Sequence, residues 1–260
     1  MNRIDAKMQA LREAGRKGFV AFLTAGDPNI DQSEADIRAA LDHGVDILEL
    51  GVPFSDPTAD GPVIQAASLR ALENGMTLRK VLDLVRRLRK DYDQPIVLFG
   101  YVNLFFRYGY EQLAKDAAEA GVDGLLVVDL PYEESGEMAA PLRQHGLYRI
   151  PLAAPTTGLE RLRMILSDAG GFVYYIMVTG VTGVRQSVRS DLSERLTAVR
   201  SVTDLPVAVG FGVSSGEQAK TVAASADAVV VGSALITAAR EDRLTELVQE
   251  IRAGIDEVES

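Results

Sequence analysis

Eight short apolar runs, separated by longer stretches with helical periodicity, constrain the fold of this chain most strongly. The runs are apolar on successive residues, which suits strands covered on both faces in a parallel sheet. They occupy 19–24, 46–50, 95–100, 124–129, 147–152, 172–177, 206–211 and 228–232. Helical patterns between them include 31–43, 77–90, 111–120 and 214–223. In the last of these, Ser214 and Glu217 have the spacing of a capping box.

Eight strand–helix units favour a closed (β/α)8 TIM barrel, an α/β fold, because eight strands is the number at which this barrel closes. The alternative is an open doubly wound sheet. A weak repeat at 44–46, 121–123 and 225–227 ends each time in an aspartate that leads into an apolar run. No Ser/Pro-rich linker divides the chain, so we expect a single domain over 1–260, with an extra N-terminal helix before the first strand.

Composition and charge exclude several classes of function. The net charge is −10 without a Lys/Arg block, which argues against binding to nucleic acid or to an anionic membrane. The absence of cysteine removes disulfides and thiolate chemistry. The first residues lack the apolar core of a signal peptide, and the longest apolar stretch, roughly 226–236, falls short of the ~20 residues of a membrane helix. We therefore expect a soluble, cytoplasmic protein.

The catalytic residues of such a barrel follow the C-terminal ends of its strands. His43 and His145, the two histidines, instead lie at helix ends that lead into strands, so a histidine-rich metal site is not expected. No lysine follows a strand either, which argues against a Schiff base. Carboxylates and tyrosines remain for proton transfer. The polar residues at strand ends are Thr24, Asp27, Glu49, Asp56, Asp60, Tyr101, Asn103, Asp129, Thr156, Thr179, Thr182 and Ser233.

Glycine clusters at 180–183, 210–212 and 232–233 follow three successive predicted strands. Glycine lets backbone N–H groups approach an anion, and helix N-termini add partial positive charge. Barrels of this kind often bind phosphate with the loops after strands seven and eight. We therefore predict a phosphate site, for which Arg185 is a candidate cation. The alternative is that these glycines only form tight turns.

Glu49 and Asp60 are the candidate acid–base pair. If Glu49 lines the barrel together with Ile47, by period-two alternation, burial should raise its pKa toward neutrality. Asp60 lies eleven residues later in a proline-rich loop, where better solvation should keep it ionised. Two carboxyl groups in different surroundings can divide the work of acid and base. Alternatively, Glu49 is salt-bridged and the aspartates only form turns.

Several motifs of the chain resemble those of the tryptophan synthase alpha chain family, in order and over about residues 18–240. They are AFLTAGDPN (21–29), ELGVPFSDPTADGPVIQ (49–65), GYVNLFFRYG (100–109), GLLVVDLPYEES (124–135), TGVTGVR (179–185) and GFGVSSGEQ (210–218). The resemblance implies retro-aldol cleavage of indole-3-glycerol phosphate into indole and glyceraldehyde 3-phosphate. It further implies that indole passes to a beta chain, which uses pyridoxal phosphate in an α2β2 heterotetramer, whereas the alpha chain needs no cofactor and no metal.

The resemblance also assigns roles to individual residues. Glu49 matches the general acid that protonates indole C3, and Asp60 matches the group that holds the indole N–H. Thr182 matches a residue that contacts Asp60 when the loops close. The remaining matches are Phe22, Tyr101, Leu126 and Tyr174 around the indole ring; Gly183, Phe211, Gly212, Gly232 and Ser233 among the other substrate-binding positions; and Pro53, Asp56 and Asn103 near the partner chain.

Two other functions remain open from the residues alone. One is an isomerase or epimerase that acts on a sugar phosphate, for which we would expect metal ligands or a catalytic lysine at the strand ends. The other is a non-catalytic barrel that activates a partner, for which we would expect Glu49 or Asp60 to be missing. The presence of both carboxyl groups favours the lyase.

Overall fold

The chain folds as a ring of parallel strands surrounded by helices. The computed structural model describes residues 1–177, 185–210 and 212–258, with backbone alone over 185–191. The α-helices within these residues are α1 Arg3–Glu13, α2 Ile30–Asp42, α3 Pro62–Glu73, α4 Leu78–Leu88, α5 Val102–Tyr108, α6 Tyr110–Ala120, α7 Gly136–Gln144, α8 Leu159–Leu166, α9 Arg185–Arg200, α10 Gly216–Ala223, α11 Ser233–Arg240 and α12 Leu244–Asp256. A short 3-10 helix spans Tyr132–Glu134. None of these helices is long and apolar enough to span a bilayer.

All strand pairs in the sheet are parallel, and neighbours in sequence are neighbours in space. The first strand pairs with both the second and the last, as a closed barrel requires. The strands are β1 Gly18–Thr24, β2 Ile47–Gly51, β3 Ile96–Gly100, β4 Gly124–Val127, β5 Tyr148–Arg149, β6 Leu152–Ala153, β7 Val173–Ile176, β8 Val207–Gly210 and β9 Ala228–Val231. The predicted (β/α)8 barrel is confirmed.

The fifth predicted strand, 147–152, forms two short pieces, β5 and β6, rather than one. The Ile150 N–H donates to Leu125 O of β4 at 2.8 Å, and Pro151 O accepts from Tyr174 N of β7 at 2.9 Å. This one segment therefore closes the ring between β4 and β7. The interruption falls at Pro151, which has no N–H to donate to a ladder.

The barrel interior is filled by alternate residues of the strands. Val20, Ile47, Val97, Leu126 and Ala208 belong to one buried cluster, as period-two alternation requires. The extra N-terminal helix, α1, contributes Ile4, Met8 and Leu11 to the same cluster. Because Asn2 and Arg3 bind Asp123, just before β4, α1 covers the end of the barrel where the strands begin and leaves the opposite end open.

The three aspartates of the sequence repeat share one structural role at the closed end of the barrel. Asp46, Asp123 and Asp227 each accept a hydrogen bond from the backbone N–H of a residue that starts a strand, and each also accepts from an arginine. The donors are Phe19 and Arg252 for Asp46, Ile96 and Arg89 for Asp123, and Val207 and Arg200 for Asp227. The repeat therefore marks ion-paired carboxylates that fix the strand ends.

The predicted N-cap of one helix is wrong by one residue. Helix α10 begins at Gly216, and its N-cap is Ser215, whose hydroxyl accepts from Gln218 N at 3.4 Å. The predicted box of Ser214 and Glu217 is thus replaced by the same spacing one residue later. Gln218 Oε1 in turn accepts from Ser214 N at 2.8 Å.

Candidate active site

A cleft of about 750 Å³ opens at the end of the barrel where the strands finish. Six of the predicted site residues line it together, although they come from distant parts of the sequence. They are Phe22, Asp60, Tyr174, Gly212, Gly232 and Ser233. The cleft therefore joins the candidate acid–base region to the candidate phosphate region, as the lyase interpretation requires.

Glu49 lies inside the barrel, between Phe22 of β1 and Val97 of β3 in the register of the sheet. Its side chain is fully buried, and neither carboxylate oxygen has a hydrogen-bond partner within the described part of the chain. Burial raises the pKa of Glu49 to about 8, because the charged form loses its hydration without gaining a partner. At neutral pH this carboxyl group is mostly protonated, so it can act as an acid.

Asp60 is half-buried at the rim of the cleft. Tyr101, at the end of β3, donates its hydroxyl proton to Asp60 Oδ2 at 3.0 Å. Burial raises the pKa of Asp60 to about 6, while the hydrogen bond from Tyr101 acts in the opposite direction. Asp60 is thus better solvated than Glu49, as predicted, and still mostly ionised at pH 7. The two carboxyl groups hold opposite protonation states near neutrality.

Tyr174 connects these two groups electrostatically. Its pKa lies well above the usual value for tyrosine, first because the ring is desolvated and then because Asp60 and the ionised form of Glu49 would repel a phenolate charge. The neutral phenol packs against Gly210, where a Cβ atom would lie 2.9 Å from its oxygen. A glycine is therefore needed beside Tyr174 for this ring to occupy the cleft wall.

The far end of the cleft has one open helix N-terminus and one occupied one. Helix α11 begins directly after Gly232, and no side chain of the described residues caps it. Helix α10, by contrast, is capped by Ser215, and its Gly216 N–H donates to Glu250 Oε1 at 2.8 Å. Gly212, which also lines the cleft, has a φ of +66°, a conformation that favours glycine. An anion in the cleft would therefore meet free backbone donors mainly at α11.

Some predicted site residues lie off the cleft surface or outside the described residues. Glu49, Tyr101 and Leu126 are buried and do not line the cleft. Leu126 belongs to the interior cluster, two residues before Val128, which does line the cleft. The predictions for Thr182, Gly183 and Phe211, and for the Arg185 side chain, fall outside the described residues, so they stay predictions.

The sequence reasoning missed the apolar lining of the cleft, because it considered only polar residues at strand ends and the positions matched by the resemblance. The period-two alternation of side chains along each strand would have predicted these residues. Phe99 precedes Tyr101 by two residues, and Ile176 follows Tyr174 by two, so each shares a barrel face with a predicted residue. The apolar lining residues from the strands and strand ends are Phe99, Val128, Leu152, Ile176 and Val230.

Comparison with known proteins agrees with this geometry. The family described as tryptophan synthase alpha chain matches residues 8–259. A tryptophan synthase alpha chain from Opitutus terrae is 50% identical over 93% of this chain and 91% of the relative. The crystal structure of tryptophan synthase subunit alpha from Legionella pneumophila superposes with a TM-score of 0.91 at 37% identity, covering 99% of this chain and 100% of that one. A chain of tryptophan synthase from M. tuberculosis gives a TM-score of 0.90 at 36% identity, covering 98% and 99%. The chain belongs to the tryptophan synthase alpha chain family.

Proposed function

We propose that Glu49 and Asp60 carry out the reaction of this lyase family, the retro-aldol cleavage of indole-3-glycerol phosphate to indole and glyceraldehyde 3-phosphate. The observation that carries the proposal is the Glu49 carboxyl group, fully buried and without a partner in the described residues, on β2 next to Phe22, which lines the cleft. A buried acid without a partner is unfavourable for stability, so its presence favours a chemical role. The step belongs to the biosynthesis of tryptophan.

Glu49 supplies and recovers one proton in this mechanism. The protonated carboxyl group donates its proton to indole C3, which makes the ring an electron acceptor. The resulting carboxylate then takes the proton of the hydroxyl group on the carbon attached to C3. As the carbon–carbon bond breaks, its electron pair returns to the ring and the former hydroxyl becomes the aldehyde of glyceraldehyde 3-phosphate. A pKa near 8 suits a group that alternates between acid and base at neutral pH.

Asp60 stabilises the charge that develops on the indole ring. Protonation at C3 places positive charge on the ring, with a large share at the nitrogen. An ionised carboxylate that accepts the indole N–H is attractive to this cation and is already in place before the reaction begins. Its pKa of about 6 keeps it ionised at pH 7, which supports the assignment.

The two ends of the cleft would bind different parts of the substrate, the indole ring at one end and the phosphate at the other. Apolar side chains such as Phe22 and Phe99, whose ring centroids lie 4.9 Å apart, form a wall against which an indole ring can pack. The phosphate would lie against the backbone donors at Gly232 and Ser233, where the open N-terminus of α11 favours an anion. Gly212 would contribute a close backbone approach from the preceding loop.

The partner and cofactor assignments follow from family membership. We infer that indole passes to a tryptophan synthase beta chain in an α2β2 heterotetramer in the cytoplasm. We also infer that pyridoxal phosphate belongs to that beta chain alone, and that this chain uses no cofactor or metal. The surface at Asn103 supports a docking site, because the neighbouring Phe106 exposes 64% of its area to solvent.

Direct assay of the purified chain tests the proposal. We expect equimolar indole and glyceraldehyde 3-phosphate from indole-3-glycerol phosphate, slowly with the chain alone and faster after addition of a beta chain. Asp60→Asn should lower kcat more than it changes KM, because its interaction strengthens in the transition state. Folded protein that releases no indole under either condition would contradict the proposed function.

A further inference from the structure

Tyr101 is bound to the loop of Asp60 in a way that packing around an indole ring does not require. The residue lies at the end of β3 and is 2% exposed. Its hydroxyl accepts the Ala59 N–H at 3.0 Å and donates to Asp60 Oδ2, also at 3.0 Å. Its ring stacks on Phe54, with the centroids 5.0 Å apart and the planes at 28°. This one side chain therefore contacts three residues of the loop, Phe54, Ala59 and Asp60.

The hydrogen bonds leave a specific part of Asp60 available. Tyr101 occupies Oδ2, and it is the only side chain in the described ranges recorded as a donor to this carboxylate. Oδ1 can thus accept a further donor from the cleft, which Asp60 lines. A carboxylate fixed at one oxygen loses little freedom when the other oxygen binds a ligand.

We infer that Tyr101 is a positioning residue for the cleavage reaction, which holds the ionised Asp60 carboxylate and its loop so that one oxygen faces the indole N–H. The inference rests on the proposed function and deepens it. Tyr101 acts through Asp60, beyond the contact with the indole ring that the resemblance implies. The loop of Asp60 is therefore positioned by the barrel before any substrate arrives.

The ionisable groups around Tyr101 and Asp60 determine whether loss of the Tyr101 hydroxyl group raises or lowers the pKa of Asp60. Tyr174 of β7 interacts electrostatically with both Asp60 and Glu49 of β2, and Asp129, after β4, acts on Tyr101. Among the described residues, the one favourable influence on the ionised form of Asp60 is the hydrogen bond from Tyr101, since burial opposes ionisation. Removing the hydroxyl group should therefore raise the pKa of Asp60.

Tyr101→Phe is the matched test, because it keeps the ring and removes only the hydroxyl group. We expect kcat to fall roughly tenfold with little change in KM, since an interaction of a charged group is lost mainly in the transition state. The acid limb of the pH profile should move to higher pH. Without substrate, NMR titration of 13C-labelled aspartate carboxyls, with Asp60→Asn for assignment, should show Asp60 titrating at higher pH.

Tyr148→Phe is the control. Tyr148 also donates to an aspartate, Asp5 Oδ2 at 2.6 Å, but at the closed end of the barrel. This variant should leave kcat and the pH profile of cleavage unchanged. If both variants changed cleavage alike, the effect would be one of general stability and the inference would be overturned.

Two further results separate the possible outcomes. Replacing Tyr101 with 3-fluorotyrosine keeps its shape and strengthens the donor, so the Asp60 titration should move to lower pH, even if Tyr101→Phe folds poorly. An Asp60 titration that neither substitution moves would overturn the inference. The same would follow from Tyr101→Phe protein that unfolds at lower temperature but keeps the wild-type kcat. If the wild-type chain cleaved no substrate, the proposed function would fail, whereas the NMR result would still report on Tyr101.

Discussion

Buried carboxyl groups lie at both ends of the barrel, and their surroundings are opposite. At the closed end, Asp46 and Asp123 each accept from a backbone N–H and from at least one arginine. At the open end, Glu49 is more deeply buried than either, and no donor reaches its oxygens in the described residues. The same chemical group is thus satisfied at one end and left without a partner at the other.

The presence or absence of hydrogen-bond partners distinguishes a buried carboxyl group with a structural role from one with a chemical role. An ion-paired carboxylate that also accepts backbone hydrogen bonds orders the strands around it, and removing it leaves other groups unsatisfied. A carboxyl group without partners weakens the fold but keeps its proton available. Substitutions at the two ends should therefore affect different measurements.

The largest effect is expected for Glu49→Gln. The amide cannot donate an acidic proton to indole C3 or accept one from the hydroxyl group, so kcat should fall about 1,000-fold, within the range of general acid–base catalysis. The melting temperature should not decrease, because no hydrogen bond of Glu49 to the described residues is lost. Indole release and a thermal melt on the same sample check both parts. Substantial residual turnover would remove Glu49 from the mechanism.

For Asp123→Asn, at the closed end of the barrel, we expect the opposite result: a loss of stability without a loss of kcat. This carboxylate binds Arg89 at 2.6 Å, Arg3 at 3.0 Å and the Ile96 N–H at 2.8 Å. Loss of its charge leaves a largely buried arginine without its partner and should lower the free energy of unfolding by about 3 kcal/mol. The folded fraction should keep its kcat.

A urea titration measures the free energy of unfolding. The exposed pair Asp83–Arg86 provides the control, since Asp83→Asn should lower this free energy by at most about 0.5 kcal/mol. Equal losses in both variants would contradict the comparison.

The pH dependence of stability should differ between the wild type and Glu49→Gln. The folded pKa of Glu49 is about 8, above its unfolded value of 4.5, so the folded state binds this proton more tightly. The resulting stabilisation is complete below about pH 4.5 and is lost as the pH rises through 8. From pH 6 to 9 the wild type should therefore lose about 3 kcal/mol more than the variant. Parallel denaturation curves for the two proteins over this range would refute the raised pKa.

We expect the smallest effect from substitutions at the N-termini of α10 and α11, which lie at the cleft. Ser233→Glu places a negative charge at the open N-terminus of α11 and should weaken inhibition by inorganic phosphate roughly tenfold, through repulsion. Glu250→Gln, which removes a negative charge at the occupied N-terminus of α10 in the same cleft, serves as the comparison and should not weaken phosphate inhibition. Unchanged inhibition in the first variant would locate the phosphate elsewhere.

Features that depend on local patterns could be predicted from the sequence. Eight apolar runs gave the barrel, and alternation with Ile47 placed Glu49 inside it, because strand periodicity is a property of the backbone itself. The break at Pro151 also has a local cause. The start of α10 could not be decided locally, because Ser214 and Ser215 both have capping-box spacing. The close packing of Gly216 against α12 accompanies the later start.

Features that depend on the path of a loop could not be predicted. Tyr101 and Asp60 lie 41 residues apart, and nothing in either motif indicates that their side chains meet. The aspartates of the repeat were noticed as a pattern, yet their arginine partners come from distant helices, such as Arg252 for Asp46, 206 residues away. Such contacts follow from the closed ring, which brings together residues without a shared local signal.

The protonation state of Glu49 tests the central claim most directly. An infrared difference titration of the wild type against Glu49→Gln isolates the carbonyl stretch of this one carboxylic acid. We predict that the protonated signal is present at pH 6 to 7 and disappears with a midpoint near pH 8. A carboxylate already ionised at pH 6 would contradict the account, since Glu49 would then have a partner and no proton to donate at neutral pH.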